Sequence, residues 1–305
     1  MPQQAAPQPT SLDNRPLPVA PNNSLWRYVS IPVLFLYLQG GIRLSSIREL
    51  RRLDPQEGVQ QWDCITQTDA FSPTEYAELL QYTKSKMSQN QLQLFEANKG
   101  SGTANQDAIF RSWHKLLIAT RYALCFFEST HESIAMWNGY APNGVAIRTS
   151  LSTLEPALEG THREWRISKM LYWDKRREIT PDDTHNDPAL KEVLRHPYLV
   201  KGKEYEYEKE IRLCAVDPSE RPHLIINGVP PESWIQEIRI SPKIWHQDAE
   251  VLVDLIAQSC PQLKPFINIS PLTPTPGFAD QFEEQLNADV GKGEAAHWPR
   301  FLHSP

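Results

Sequence analysis

Between Lys203 and Val216 the chain reads KEYEYEKEIRLCAV, with aromatic or aliphatic positions alternating with charged ones. A period of two is that of a β-strand, whose successive side chains point to opposite faces. The pattern predicts one strand with Tyr205, Tyr207, Lys209, Ile211 and Leu213 on one face and Glu206, Glu208, Glu210 and Arg212 on the other. The tyrosine face is expected to pack inward. Neighbouring carboxylates raise one another's pKa, and an adjacent arginine lowers them again. Such a row can hold a proton, a metal or a developing positive charge, or it can be a solvated ion ladder.

The same kind of pattern marks the other elements. Leu25 to Val29 fits a short strand, Pro32 to Leu38 a helix closed by Gly40 and Gly41, and Gly41 to Ser45 a second strand. Residues 47–58 are turn-rich and carry Asp54 and Glu57. Ser72, Pro73 and Glu75 begin a helix expected to run to Ala97, and another starts near Asn105. Arg121 to Phe127 reads as a buried strand, His131 to Tyr140 as a short helix, and residues 142–144 as a tight turn into a strand over Val145 to Thr149. Strands are expected at Trp165 to Trp173 and Ile235 to Ile240. Helices are expected from Asp187 to Val200 and from Ile244 to Cys260, with a last short strand at Phe266 to Ile269.

Helices and short strands mix without regular β-α-β spacing, which predicts an α+β fold with a central sheet flanked by helices. Half of the 26 prolines fall in residues 1–24 and 261–305. This predicts a disordered N-terminal segment over 1–24, one domain over 25–260 and a proline-rich, mostly flexible tail over 261–305. The net charge of -6 gives no general attraction for nucleic acid or anionic membranes. The longest apolar run, Ile31 to Leu38, is too short to span a bilayer. Cys64, Cys125, Cys214 and Cys260 form no C-x-x-C pair and read as reduced thiols, consistent with a cytoplasmic protein without a secretory signal.

Four motifs together resemble a bacterial family, the domain of unknown function 2971. These are Trp26-Arg27-Tyr28, the strand Gly-Ile-x-Leu-Ser leading to Asp54-Pro55 and Glu57-Gly58, the segment Met136-Trp137…Tyr140…Gly144, and the terminal YEYEKEIR. The resemblance covers about Leu25 to Pro242. Leu53 stands where the family usually has asparagine before Asp-Pro. The family's layout is in turn similar to that of ADP-ribosyltransferase-like proteins, with a basic residue on the first strand, a hydroxyl-bearing strand and a final Glu-x-Glu strand.

That second resemblance implies NAD or a related nucleotide as ligand. Cleaving the nicotinamide–ribose bond needs a grip on phosphate, an aromatic wall for the base, and a carboxylate beside the ribose for an oxocarbenium-like transition state. Arg27 fits the first role, with Arg212 as a further cation. Tyr28, Trp137 and Tyr140 fit the second, and Glu210 helped by Glu208 the third. Ser45 and Ser46 match the hydroxyl-bearing strand by position. Structural roles compete with each of these: Arg27 can pair with Glu208 or Glu210 across adjacent strands, Trp137 and Tyr140 can be core, and Ser45–Ser46 a turn. Two other readings stay open. One is a Mg²⁺-dependent nuclease or phosphodiesterase holding metal through Asp54, Glu57, Glu208 and Glu210, with Lys203 or Arg212 on phosphate. The other is a non-catalytic binding module.

Overall fold

The computed structural model describes residues 19–52, 54, 73–86, 88–97, 114–115, 117–161, 163, 165–174, 196–219 and 221–273. Of the helix expected near Asn105, residues 114–115 and 117–120 are described and helical. The helix expected from Asp187 to Val200 ends instead in a 3-10 turn at Pro197–Leu199 and a strand beginning at Val200. Most of the rest of both, together with Glu57, Cys64 and most of both proline-rich ends, lies outside the described residues. In chain order the elements are β1 (Leu25–Ser30), α1 (Ile31–Leu38), β2 (Gly41–Ser46), α2 (Ile47–Leu50), α3 (Pro73–Lys86), α4 (Gln89–Ala97), β3 (Arg121–Glu128), α5 (Ile134–Tyr140), β4 (Gly144–Thr149), α6 (Leu151–Glu159), β5 (Trp165–Lys169), β6 (Leu171–Trp173), β7 (Val200–Gly202), β8 (Glu210–Val216), β9 (His223–Asn227), β10 (Glu237–Ile240), α7 (His246–Ser259) and β11 (Ile267–Ile269). The fold is α+β, as the mixed pattern predicts.

Nine strands form one mixed sheet, ordered β11-β10-β4-β1-β3-β2-β9, with β8 on β3 and β5 on β8. β6 and β7 make a separate parallel pair. The packing at β3 creates the cleft. β8 runs along one edge of β3 from Arg121 to Phe127, so β1 and β2 must share the other. β1 holds only the far end, at Leu25↔Glu128 and Trp26↔Phe127. β2 holds only the near end, at Ser45↔Ala123 and Ser46↔Tyr122. The sheet is therefore split opposite Leu124, Cys125 and Phe126.

Alternation along the strands sorts their side chains between the two faces. Leu25 and Val29 of β1, Leu124 and Phe126 of β3, and Ile211 and Leu213 of β8 enter the main core with Leu34, Tyr37 and Ile256. The opposite face carries two smaller clusters, one around Ala123, Met170, Tyr198 and Cys214, the other around Trp26, Tyr28, Phe127 and Trp137. Gly40 and Gly144 are among the positions that require glycine. Gly40 closes α1 at φ +79°, where an L side chain is strained, and a Cβ on Gly144 would meet the Val29 carbonyl oxygen at 2.1 Å.

The long strand predicted over 203–216 is the main departure. Residues Lys203–Glu208 form a 3-10 helix, and only Glu210–Val216 is strand. β3 ends at Glu128, and the last β3–β8 pair is Phe127↔Glu210, so no partner strand exists for the residues before Glu210. Glu and Lys are also poor strand formers when nothing packs on them. Tyr207 is consequently 55% exposed rather than buried. Tyr207→Ala should leave stability within about 0.5 kcal/mol of wild type, and a fall of several degrees in melting temperature would put the ring back in the core.

Lys209 makes the corner between the two segments, at φ 39°, in the left-handed region. A side chain there costs about 1–2 kcal/mol, a cost glycine avoids but partly replaces with backbone entropy. Lys209→Gly should therefore raise stability by about 0.5 kcal/mol or more, read as a higher urea midpoint; a lower midpoint would contradict the left-handed corner.

Other boundaries shift for local reasons. The helix expected to reach Ala97 is two helices, with the Ser88 backbone carbonyl accepting from the Leu92 N–H at 2.9 Å at the start of the second. The strand expected over Trp165 to Trp173 breaks at Met170, whose N–H donates to the Glu210 carbonyl at 2.9 Å. α6 and β9 were not expected. The domain limits also move outward: Ser24 and Pro21 carbonyls accept from Ser129 and Ser152 N–H groups, and β11 pairs with β10 beyond Cys260. Among the described residues Cys125, Cys214 and Cys260 are free, and no helix is long and apolar enough to cross a membrane.

Candidate active site

A cavity of about 280 Å³ opens between the two smaller clusters, at the split of the sheet. Trp26, Arg27 and Tyr28 of β1 line it, with Cys125, Phe126 and Phe127 of β3, Gly139 and Tyr140 of α5, and Glu210 and Arg212 of β8. Lys201 of β7, Tyr205, Tyr207 and Glu208 of the 3-10 helix, and Leu50, Asp54 and Met136 complete the wall. Arg27, Tyr28, Tyr140, Glu208, Glu210 and Arg212 thus meet in one place. Ser45 and Trp137 do not line it. Ser45 pairs with Ala123 and His223 inside the sheet, and Ser46 caps α2 by accepting from the Glu49 N–H at 3.1 Å. Trp137 is fully buried, 4.9 Å edge-on to Tyr28, and donates Nε1–H to Glu132 at 2.8 Å. It packs beneath the cavity wall and is not part of it.

The charged groups are arranged in pairs. Arg212 donates from Nε to Glu210 Oε1 at 2.7 Å and from Nη1 to the Tyr198 carbonyl at 2.5 Å. Lys201 bridges the two glutamates, reaching Glu210 at 3.2 Å and Glu208 more closely, with its ammonium 4.8 Å above the Tyr205 ring. Tyr140 donates to Glu208 Oε1 at 2.6 Å. The expected role of Arg212 on a ligand phosphate is therefore corrected: it is 1% exposed and is the internal counter-ion of Glu210. Lys203 is exposed and outside the cavity lining.

Arg27 is placed differently. By alternation it leaves β1 on the α1 side, yet its guanidinium lies in the split. Nη1 donates to the Cys125 carbonyl at 2.8 Å, taking the place of the strand that β3 lacks there, and Nε reaches the Tyr37 hydroxyl at 3.4 Å. It does not ion-pair with Glu208 or Glu210. Of the three cations on the wall, Lys201 and Arg212 are each ion-paired to a glutamate, whereas Arg27 is held by neutral oxygens.

Burial alone would raise the Glu210 pKa, but the Arg212 guanidinium and the Lys201 ammonium outweigh it and hold the carboxyl at about 2. Glu210 is thus a fixed negative charge and a poor proton acceptor at neutral pH. Burial works against the Lys201 charge, yet Glu210 and Glu208 keep its pKa above the usual lysine value. Burial pushes the Tyr140 phenol upward, so it stays a donor to Glu208. Burial likewise raises Cys125, which remains a thiol unsuited to nucleophilic attack.

Lys201 is the charged site residue that the sequence does not single out, beside the aromatic Trp26 and Phe127. Its signal was the demand for a cation beside two glutamates in a chain that turns, and it sits after a short apolar run that resembles a helix end. Of the carboxylates expected as metal ligands, Glu208 and Glu210 are engaged by Lys201 and Arg212, and among the described residues no three His, Cys, Asp or Glu side chains are grouped to hold a metal ion. Comparison with protein-family models, with curated proteins and with solved structures finds no match for this chain.

Proposed function

We propose that the cavity binds NAD by its nicotinamide–ribose end, and that the chain is an ADP-ribosyltransferase-like enzyme of the family its motifs resemble. The observation that carries this reading is the meeting of Arg27, Tyr140, Glu208 and Glu210 in one cavity at a split sheet, although β1 and β8 lie at opposite ends of the domain sequence. Arg27 is the cation with capacity left for a phosphate oxygen, which suits its forked donor geometry. Trp26, Tyr28, Phe127 and Tyr140 offer apolar ring surface for the base.

In the reaction the C1′–N bond of the substrate breaks, its electron pair leaves with nicotinamide, and an acceptor oxygen or nitrogen bonds to C1′ while its proton goes to solvent. No protein group needs to act as a strong base. Glu210 supplies a fixed negative charge against the positive charge that develops on the ribose, the kind of preorganised stabilisation that dominates many active sites. Glu208, which reaches the half-exposed Tyr140 at the cavity mouth, is placed to exchange that phenol for a ribose hydroxyl. Lys201 and Arg212 are positioning residues that fix the two carboxylates.

Purified protein incubated with labelled NAD and a cell lysate, without added metal, should transfer label or release nicotinamide. The activity should survive EDTA and vanish in Glu210→Gln at an unchanged circular-dichroism spectrum. Transfer that persists in this variant, or that needs Mg²⁺, would overturn the reading.

A further inference from the structure

The geometry points to a site that holds a single nucleotide unit: we infer that the cavity reads only the nicotinamide mononucleotide half of NAD and leaves the adenylate half outside. This rests on the function proposed above and narrows its substrate class. Size is the first argument. A cavity of about 280 Å³ lies at the lower limit of ligand pockets, which run from roughly 300 to 1,000 Å³ for drug-sized molecules. A base, one ribose and one phosphate fill such a space, and a second nucleotide does not fit with them.

Charge is the second and independent argument. Asp54, Glu208 and Glu210 share the cavity wall with Arg27, Lys201 and Arg212, so the wall as a whole carries no excess of positive charge. Lys201 and Arg212 are committed to the glutamates. Arg27 alone is held by neutral oxygens, of Cys125 and Tyr37. One guanidinium outside the ion pairs matches the single charge on the nicotinamide-side phosphate of NAD, whereas the adenylate-side phosphate, if buried here as well, would have no cation of its own, which is costly. Aromatic surface is also concentrated on one side, from β1, β3 and α5, and provides a wall for one base.

The test is isothermal titration of the full chain with NAD, nicotinamide mononucleotide, nicotinamide riboside and AMP. NAD and the mononucleotide should bind with dissociation constants within about threefold of each other, and AMP about thirtyfold or more weaker. Arg27→Met should weaken the mononucleotide about tenfold and leave the riboside, which lacks phosphate, nearly unchanged. A merely structural role for Arg27 would weaken both equally and would overturn the inference.

Because Arg27 also closes the sheet split, a second variant guards against a folding defect. Gly139 lines the cavity on α5, where an added Cβ meets nothing within 4 Å. Gly139→Leu should keep the melting temperature and abolish binding of NAD and mononucleotide alike; unchanged binding of both counts against the cavity. NAD bound about thirtyfold more tightly than the mononucleotide, or AMP bound as tightly as NAD, would refute the single-nucleotide site while leaving the NAD reading standing. Absence of binding by NAD and the mononucleotide together would remove the NAD reading itself.

Discussion

Arg212→Met is expected to lower stability by about 3–5 kcal/mol, because it strands the buried Glu210 carboxylate with Lys201 as its remaining cation. Methionine fills much of the same volume, so the loss reads charge and not a cavity. Adding Glu210→Gln to Arg212→Met should recover a large part of the loss, since no uncompensated charge then remains beside the methionine. Equilibrium urea unfolding of the two single variants and the double variant measures this. A double variant no better than the worse single one would show that Arg212 acts through packing and the Tyr198 carbonyl.

The pH dependence has a definite sign. The folded-state pKa of Glu210 is depressed from an ordinary 4.5 to about 2. Its ionised form therefore adds stability that is fully present above about pH 4.5 and is lost as pH falls through about 2. In Arg212→Met the strongest lowering influence is gone and Glu210 protonates at higher pH. The stability gap between wild type and this variant should narrow on acidification from pH 7 towards 4.5, and a gap that widens there would contradict the assignment.

Trp137→Ala has the second large effect. Its indole is fully buried against Tyr28 and its Nε1–H satisfies Glu132, whose other carboxylate oxygen accepts from Arg239 at 2.9 Å. Truncation empties a core site, for a loss of about 3–5 kcal/mol, while the Ser270 hydroxyl still donates to the same Glu132 oxygen at 2.8 Å. The experiment separates two roles. A ligand wall would give a stable protein that no longer binds, whereas a core residue gives a destabilised protein whose residual folded fraction still binds. The second result is expected. Stability close to wild type with binding lost would return Trp137 to the cavity.

What the sequence reveals here depends on how local the cause is. The strands at Leu25, Gly41, Arg121 and Gly144 are legible because runs of apolar residues between glycine, proline and serine boundaries suffice to define them. The 203–208 segment misleads because strict alternation is only half of what makes a strand; the other half is a partner, and β3 stops at Glu128. The same limit explains the site. Arg27, Tyr140, Glu208 and Glu210 carry visible chemistry, and the cavity gathers all four. Ser45 and Trp137 carry equally visible chemistry, but the direction their side chains take is set by strand register and by packing of α5. Lys201 is invisible for the converse reason: its partners lie beyond a turn that no residue pattern announces.

The most direct test of the shared cavity is hydrogen–deuterium exchange of the full chain with and without NAD. Three segments distant in sequence should slow together: β1 around Arg27, the stretch of β3 around Cys125 that faces the split, and residues 200–212 with Lys201, Glu208 and Glu210. α7, on the other face, should not change. Simultaneous protection of these three segments is the result expected, and protection confined to one of them, or centred on α7, would contradict it.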